Sequence, residues 1–178
     1  MSLDHPRSGG GLLHSFGGLG RLCCVCLSPD ARYVAVGVAP SSYRDPEPEG
    51  TATIRCYDVS TGLEALAGIT EGMLDLFVQA VAFSSDGRRL VCACHRMEKA
   101  TNSRGTVYYN EVDFKIKIWS LPDNPVAAST STLSLMVTVD LKPVGLSGVA
   151  LTDMVLAVRT SSDVSLWDIS QGVENVRS

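Results

Sequence analysis

Apolar and polar residues alternate along Phe114–Leu121, whose sequence is Phe-Lys-Ile-Lys-Ile-Trp-Ser-Leu. The phenylalanine and both isoleucines fall on one face of this stretch, whereas Trp119 falls on the other. A period of two residues is that of a β-strand, because successive Cβ atoms in a strand point to opposite faces. Thr51–Val59 and Asp163–Ile169 repeat the pattern, and in both of them an aromatic residue is followed by Asp. Three copies of one strand ending indicate an internally repeated chain.

The remaining apolar runs are short and are separated by Gly, Pro, Ser and Asp, the residues of turns. In Leu63–Leu76, the residues Leu63, Leu66 and Leu74 fall on one helical stripe, but interspersed glycines disfavour a helix there. No other segment suggests a helical period, and we therefore predict an all-β chain. Further strands are expected at Leu12–Phe16, Leu22–Leu27, Tyr33–Ala39, Leu63–Ile69, Phe77–Ser84, Arg89–Cys94, Leu135–Leu141, Ser147–Leu151 and Met154–Val158.

Two polar insertions interrupt the series of short apolar runs, and both lie between the second and third strands of a repeat. Residues 39–50 contain three prolines and three acidic residues. Proline cannot donate a hydrogen bond to a neighbouring strand, so this segment is predicted to be a loop. Residues 95–112 are polar and include Asn102, Ser103 and Gly105. We predict a second loop there.

Composition and charge narrow the classes of function. The chain has 178 residues, of which 45% are hydrophobic, as expected for one folded domain. A formal net charge of -4 disfavours a general nucleic-acid or anionic-membrane binder, because such proteins are basic. No run is long and apolar enough to span a bilayer, and the first residues lack the order of a secretory signal. We therefore expect neither nucleic acid nor membrane as a partner, and an intracellular location, cytoplasmic or nuclear.

Six cysteines lie within apolar, strand-like runs. In the absence of an export signal, we expect them to be reduced core residues, because free Cys packs as a small buried hydrophobe. Cys92 and Cys94 share a strand face next to His95, which raises the alternative of a zinc site. Their spacing is not that of a Cys-x-x-Cys motif, so core packing is the favoured interpretation. No metal site and no cofactor are predicted.

The repeated unit resembles a WD40 repeat, and the resemblance extends over roughly residues 12–172. Leu27–Gly37 and Phe83–Ala93 resemble the unit of strand a, turn and strand b. Tyr57–Gly62 and Trp167–Gly172 resemble the Trp-Asp end of strand c with its turn, and Leu12–Phe16 resembles the outer strand that precedes a repeat. The structural repeat positions that this resemblance implies are Tyr57, Asp58, Asp113, Trp119, Trp167 and Asp168.

The chain also departs from the WD40 pattern. The Gly-His pair that precedes strand a is absent, and Trp119 is followed by Ser instead of Asp. Only Asp113 occupies the position of the structural Asp of the family. The hydrogen-bond chain that the family builds from Asp, His, Ser or Thr, and Trp is therefore incomplete in every repeat. We expect blades that depend mainly on apolar packing.

The resemblance implies three four-stranded antiparallel blades of a β-propeller, approximately at residues 12–69, 77–141 and 147–178, after a flexible segment at residues 1–11. A propeller closes with about 4–8 blades, so three blades form an incomplete ring. Three completions remain open. The chain is part of a longer propeller, two copies pair into one ring as a homodimer, or another protein supplies the missing blades.

A WD40-like chain is expected to be a non-enzymatic scaffold that binds protein partners. In this fold both insertions emerge on one face of the disc, and we expect the partner there. Tyr and Arg are enriched at interface hot spots. The candidate binding residues are Tyr43, Arg44, Arg96, Lys99, Arg104, Tyr108 and Tyr109. The alternative is that both insertions are merely solvated loops.

Two other functions compete with the scaffold. One is a structural subunit that completes a propeller, and the other is an enzyme using Cys, His and Asp side chains, for instance with a metal ion. Asp30, Asp86 and Asp153 each lie in a tight turn, where Asp caps its own backbone. No phosphate loop, nucleophile elbow or metalloprotease motif is present. An enzyme is therefore disfavoured.

Overall fold

A computed structural model describes the chain at residues 12–15, 21–39, 53–69, 76–121, 134–141 and 145–170. Every regular element within these ranges is a β-strand. The strands are β1 (Arg21–Leu27), β2 (Tyr33–Ala39), β3 (Thr53–Asp58), β4 (Glu64–Ile69), β5 (Leu76–Phe83), β6 (Arg89–Thr101), β7 (Val107–Ser120), β8 (Ser134–Asp140), β9 (Leu146–Leu151), β10 (Val155–Thr160) and β11 (Val164–Asp168). The prediction of an all-β chain is confirmed.

The strands form three antiparallel sheets, each made of strands that follow one another in the chain. The first sheet has the order β1-β2-β3-β4, the second has the order β5-β6-β7-β8, and the third has the order β9-β10-β11. The helical alternative for Leu63–Leu76 is wrong over Glu64–Ile69, which is β4. The strand expected at Leu12–Phe16 is wrong for residues 12–15, which form no strand, and Phe16 lies outside the described residues.

The largest difference from the sequence prediction concerns residues 95–112. They are not a loop, because β6 and β7 continue through them as a two-stranded hairpin. Regular pairing runs from Arg96 opposite Val112 to Thr101 opposite Val107. We call residues 95–113 the long hairpin.

The first and second sheets pack face to face through one apolar cluster. Strand alternation directs Ile54, Cys56 and Leu66 of the first sheet towards Leu90 and Trp119 of the second. All five residues are at most 5% exposed. Burial of apolar side chains on this scale is the main favourable contribution to folding.

A second apolar cluster joins the second and third sheets. It contains Val91, Ile116 and Ile118 from the second sheet and Leu156 and Val158 from the third. The second sheet is therefore covered on both of its faces. This explains why β6 begins with five consecutive apolar residues after Arg89 instead of an alternating pattern.

The repeated aromatic residues occupy the same register position in each sheet. Tyr57 pairs with Val34, Trp119 with Leu90, and Trp167 with Leu156, and each partner is the second residue of the preceding strand. Two of the three aromatics are followed by an Asp whose Oδ1 accepts backbone N–H groups of the next turn. Asp58 accepts from Ser60 and Thr61, and Asp168 accepts from Ser170.

None of the six cysteines forms a disulfide bond. Cys56, Cys92 and Cys94 are buried and Cys24 and Cys26 are partly buried, whereas Cys23 is exposed and is not a core residue. Burial raises the pKa of Cys24 to about 12, of Cys26 to about 11 and of Cys56 to about 12. These three thiols therefore stay protonated and pack as apolar groups.

Candidate partner-binding site

The long hairpin projects beyond the second sheet. The last partner of β6 on β5 is Leu76, opposite Arg96, and the last partner of β7 on β8 is Asp140, opposite Lys115. Beyond these pairs, β6 and β7 pair only with each other within the described residues. At a rise of about 3.4 Å per residue, the projecting part extends roughly 20 Å.

The tip of the long hairpin is a tight turn specified by Asn102 and Gly105. The Asn102 N–H donates to Thr106 O at 3.0 Å, and Asn102 Oδ1 accepts the N–H groups of Arg104 and Thr106. Gly105 has φ 77°, a backbone conformation that glycine adopts without strain. A three-residue loop that ends in a left-handed glycine is a common hairpin connection, so the local sequence favours this turn.

A β-bulge marks the base of the long hairpin. Cys94 pairs with Lys115 and Arg96 pairs with Val112, so that one residue of β6 faces two residues of β7. Asp113, one of those two, has φ 52°. Bulges bend the bulged strand and increase its twist. The bulge therefore sets the direction in which the hairpin leaves the sheet.

His95 lies at this base, between two phenylalanine rings. Its ring centroid is 5.8 Å from that of Phe77 and 5.7 Å from that of Phe114. The imidazole is buried, and neither ring nitrogen has a hydrogen-bond partner within the described residues. Burial lowers the pKa of His95, and the carboxylate of Glu111, 4.0 Å from Nε2, partly opposes this shift. The base of the hairpin is thus anchored by a neutral, stacked imidazole.

The structure divides the candidate binding residues of the long hairpin into three groups. Lys99 and Tyr109 are direct cross-strand partners and share one face. Arg96 is three positions from Lys99, and Tyr108 is adjacent to Tyr109, so both lie on the opposite face. Arg104 lies in the turn at the tip. Tyr43 and Arg44 fall outside the described residues.

Two apolar side chains near the tip of the long hairpin are exposed to solvent. Tyr108 is 44% exposed and Val107 is 47% exposed. The sequence analysis did not include Val107 among the candidate binding residues. The high β-propensity of Thr-Val-Tyr-Tyr at residues 106–109 could have indicated a strand there. Val107 and Tyr108 lie on opposite faces, so each face near the tip offers one exposed apolar side chain for contact with another protein.

The proposed zinc ligands do not converge. Cys92 and Cys94 belong to the cluster between the first and second sheets, whereas His95 contacts Phe114 of the cluster on the other side. Within the described ranges, no group of three or more His, Cys, Asp or Glu side chains is arranged to hold a metal ion. The same ranges contain no helix of the length and apolar character needed to cross a membrane.

Two of the three turn aspartates cap their own backbone. Asp30 Oδ1 accepts the N–H of Arg32, and Asp86 Oδ1 accepts the N–H of Arg88. In the third turn the prediction is wrong, because Thr152 Oγ1 instead of Asp153 accepts the backbone N–H groups. The carboxylates of Asp30 and Asp86 therefore stabilise their own turns and do not form a catalytic pair.

The outer faces of the first and third sheets expose apolar side chains. Val25 and Leu27 alternate with core cysteines on β1 and are more than 60% exposed. Val164 and Leu166 on β11 are exposed to a similar extent. Faces of this kind mark an interface more often than a free surface.

Comparisons with known proteins agree with the architecture. No protein-family model and no curated protein matches the sequence. A chain in the crystal structure of a mitotic checkpoint complex superimposes on 83% of this chain with 14% sequence identity and a TM-score of 0.51. The WD40 repeats of RRP9 match 90% of it with 13% identity and a TM-score of 0.38. The chain covers 37% and 54% of the length of these two proteins.

The three sheets, their shared register and the match to the checkpoint-complex chain define the class of fold. The protein is built from consecutive blades of a β-propeller, each packed face to face on the next. The blades are of the WD40-like type, and the three in the described residues form an incomplete ring.

Proposed function

We propose that this chain is a non-enzymatic scaffold that binds a protein partner through the long hairpin. The observation that supports the proposal is a two-stranded arm that carries exposed Val107 and Tyr108 and rises from a buried base. Binding residues on a rigid element lose less conformational entropy on association than residues on a loose loop. An arm of this kind is a suitable recognition element.

Charge does not dominate this surface. Three cations and three acidic residues lie along the long hairpin: Arg96, Lys99 and Arg104, and Glu98, Glu111 and Asp113. With charges that cancel, electrostatic steering of a partner is weak. We therefore expect Tyr108 to provide most of the binding free energy, as aromatic anchors do at other interfaces.

The test is a variant with a shortened hairpin. Residues 97–111 are replaced by Asn-Gly, which forms a two-residue turn between the paired residues Arg96 and Val112. This design retains His95, which lies in the core. Proteins captured from an extract of the source organism are compared quantitatively for the wild-type and shortened chains. We expect a reproducible set of proteins to be lost on shortening, while the circular dichroism spectrum and melting temperature stay close to wild type.

A crosslinking experiment supplies the matched control. A photo-crosslinking amino acid in place of Tyr108 should form adducts with the same proteins that shortening removes. The same amino acid in place of Leu166, which is also exposed but lies on the third sheet, should not. Capture that survives shortening, or adducts formed equally from both positions, would show that the partner binds elsewhere.

The exposed outer faces favour a second candidate function, in which the chain completes a propeller with another copy of itself. The face of β1 that carries Val25 and the face of β11 that carries Leu166 would then pack together at two equivalent contacts. Light scattering at micromolar concentration distinguishes the cases, because the chain mass is 18.9 kDa. A mass of about twice this value that reverts to the monomer in Val25→Glu supports pairing, whereas a monomeric wild type contradicts it.

A further inference from the structure

A cleft lies between the first and second sheets, at the strand ends opposite the long hairpin. Its volume is about 460 Å³, within the range of roughly 300–1,000 Å³ that is typical of ligand sites. The β1–β2 turn and the β5–β6 turn form its two rims. Antiparallel strands reverse direction at each turn, so these turns lie at the end of the sheets from which the hairpin does not project. The cleft is therefore separate from the proposed partner surface.

Apolar side chains form the interior of the cleft. Cys56 and Leu66 come from the first sheet and Phe83 from the second, and Leu121 directly follows β7. They belong to, or pack against, the cluster that joins the two sheets. A large apolar side chain of a ligand placed here would extend this cluster and be withdrawn from water.

Tyr33 contributes a polar group without a partner. Its ring lines the cleft, and its hydroxyl is buried without a hydrogen bond to any described residue. A buried hydroxyl that lacks a partner is unfavourable, because it has lost water and gained nothing in exchange. An acceptor carried by a ligand would satisfy this hydroxyl if the groups that cover it moved aside.

Two cationic side chains lie on the rims and donate no hydrogen bond from their guanidinium groups to the described residues. Arg32 lies on one rim and Arg88 on the other, and both are exposed. Neither guanidinium forms an ion pair or donates a hydrogen bond within the described part of the chain. The Arg32 guanidinium carbon lies 5.3 Å from the centroid of the Tyr33 ring, which holds the charge beside the cleft.

The acceptors on the rims, in contrast, are engaged. Asp30 Oδ1 accepts the hydroxyl of Ser28 at 2.6 Å and the N–H of Arg32 at 3.1 Å. Asp86 is held in the same way in the other turn by Ser84 and by the backbone two residues further on. Each carboxylate is thus bound to its own turn through Oδ1. A ligand that pairs with the two guanidinium groups and the Tyr33 hydroxyl has to bring acceptors together with an apolar group.

We propose that this cleft binds an acidic peptide segment of a partner protein. One large apolar side chain of the segment fills the interior, flanking carboxylates pair with Arg32 and Arg88, and a backbone carbonyl accepts the Tyr33 hydroxyl. The two guanidinium groups and the Tyr33 hydroxyl are spread over both rims and the interior. An extended peptide offers an acceptor at every residue and can reach all of them at once.

The test uses a blocked pentapeptide, acetyl-Gly-Glu-Phe-Glu-Gly-amide, and NMR titration of the full chain. We expect saturable shifts of the backbone signals of Tyr33, Arg32 and Arg88. The same peptide with Gln for Glu should bind at least fivefold more weakly, and so should the peptide with Ala for Phe. Equal binding of the Glu and Gln peptides would overturn the proposal, as would the absence of saturable shifts.

Three protein variants test the assigned roles. Arg32→Ala and Arg88→Ala should each weaken binding by up to about fivefold, as expected for exposed charge pairs, with a smaller effect at high salt. Tyr33→Phe should weaken binding while the melting temperature stays the same or rises, because the variant removes an unpaired hydroxyl. An unchanged affinity in Tyr33→Phe would contradict the role of the hydroxyl.

Two further measurements distinguish a peptide site in the cleft from binding at the long hairpin and from a site for small carboxylic acids. The variant with the shortened hairpin should bind the pentapeptide as the wild type does, so the cleft and the hairpin proposals can fail independently. 3-Phenylpropionate carries the same ring and one carboxylate without a peptide backbone. If it binds as tightly as the pentapeptide, the cleft is a site for small carboxylic acids and the peptide proposal is wrong.

Discussion

Arg96 and Asp113 join the two strands of the long hairpin at its base. Arg96 Nε donates a hydrogen bond to Asp113 Oδ2 at 2.8 Å. Asp113 forms this contact from a left-handed backbone conformation, with φ 52°, at the bulge opposite His95. The pair thus lies where the four-stranded sheet becomes a two-stranded arm.

The backbone of Asp113 should matter more to stability than its charge. We expect Asp113→Ala to be about 1 kcal/mol less stable than Asp113→Gly, because alanine retains the cost of the left-handed conformation and glycine does not. Urea unfolding of both variants measures the difference. Arg96→Ala should cost at most about 1 kcal/mol, because both side chains are partly exposed to solvent. Equal stabilities of the Ala and Gly variants would show that the backbone is not strained.

Close packing between the first and second sheets depends on Gly37. A Cβ atom at Gly37 would lie 2.5 Å from Cys24 Sγ and 2.6 Å from Val78 Cγ1. We expect Gly37→Ala to lower the free energy of unfolding by about 1–3 kcal/mol, the usual cost of overpacking. Gly148→Ala is the control, because the added methyl group would approach no closer than 3.8 Å to Arg159. It should be neutral or slightly stabilising. Thermal or urea unfolding of the two variants would contradict the prediction if their stabilities were equal.

The fold follows from the sequence because the signals that specify it are local. The alternation in Phe114–Leu121 and the turn chemistry of Ser-Pro-Asp and Ser-Asp-Gly place strands and turns without tertiary information. The run Leu90–Cys94 does not alternate, because its strand is buried on both faces by the neighbouring sheets. Which sheets pack on it is decided by residues far away in the chain.

The candidate site was harder to predict. Residues 95–112 suggest a loop, because their polar residues face solvent on both sides of a projecting arm and no buried face imposes a pattern. Residues on one strand alternate between faces, so Tyr108 and Tyr109 lie on opposite faces of the hairpin although they are neighbours in sequence. The cleft at Tyr33 joins two turns that are more than fifty residues apart, and no sequence motif marks it.

Stability should depend on pH through His95. Burial lowers the pKa of this histidine below its ordinary value of 6.5, so the unfolded chain binds a proton more readily than the folded one. The stabilising effect of the neutral imidazole is therefore complete above pH 6.5 and decreases as the pH falls from there towards the folded pKa. We expect the free energy of unfolding, measured with urea between pH 5 and 8 (the range about the ordinary value), to decline on the acid side.

Two variants isolate this contribution. His95→Phe keeps a ring between Phe77 and Phe114 but cannot titrate, so it should flatten the decline. His95→Gln is the second variant, because it cannot titrate and also lacks the ring, so it separates the loss of titration from the loss of stacking. A profile that is the same in His95→Phe and in the wild type would rule out His95 as its cause.

The turn aspartates predict a second, more acidic transition. The hydroxyl of Ser28 lowers the pKa of Asp30 below its ordinary value of 3.8. At Asp86 burial is the largest single influence and raises the pKa, but hydrogen bonds from Ser84 and a backbone N–H, with nearby arginines, outweigh it. A lowered folded pKa gives stability that is present above pH 3.8 and is lost as the pH falls through the folded value.

Substituting these two aspartates with asparagine tests the acidic transition. Asp30→Asn and Asp86→Asn keep an acceptor oxygen but cannot titrate, so each should make stability less dependent on pH below 3.8. Acid titration followed by circular dichroism measures the effect. An acid transition that is the same in both variants and in the wild type would assign it to other groups.

Trp119 combines complete burial with an incomplete hydrogen-bond network. It is fully buried between the first and second sheets, and its Nε1–H has no partner among the described residues. Trp119→Phe removes this unpaired N–H together with part of the ring, and the gain of about 1–3 kcal/mol from the first offsets much of the loss from the second. We expect Trp119→Phe to be within about 1 kcal/mol of wild type in urea unfolding, whereas Trp119→Ala should lose about 3–5 kcal/mol. If phenylalanine proves as harmful as alanine, the indole N–H has a partner in solution and this blade is held by more than apolar packing.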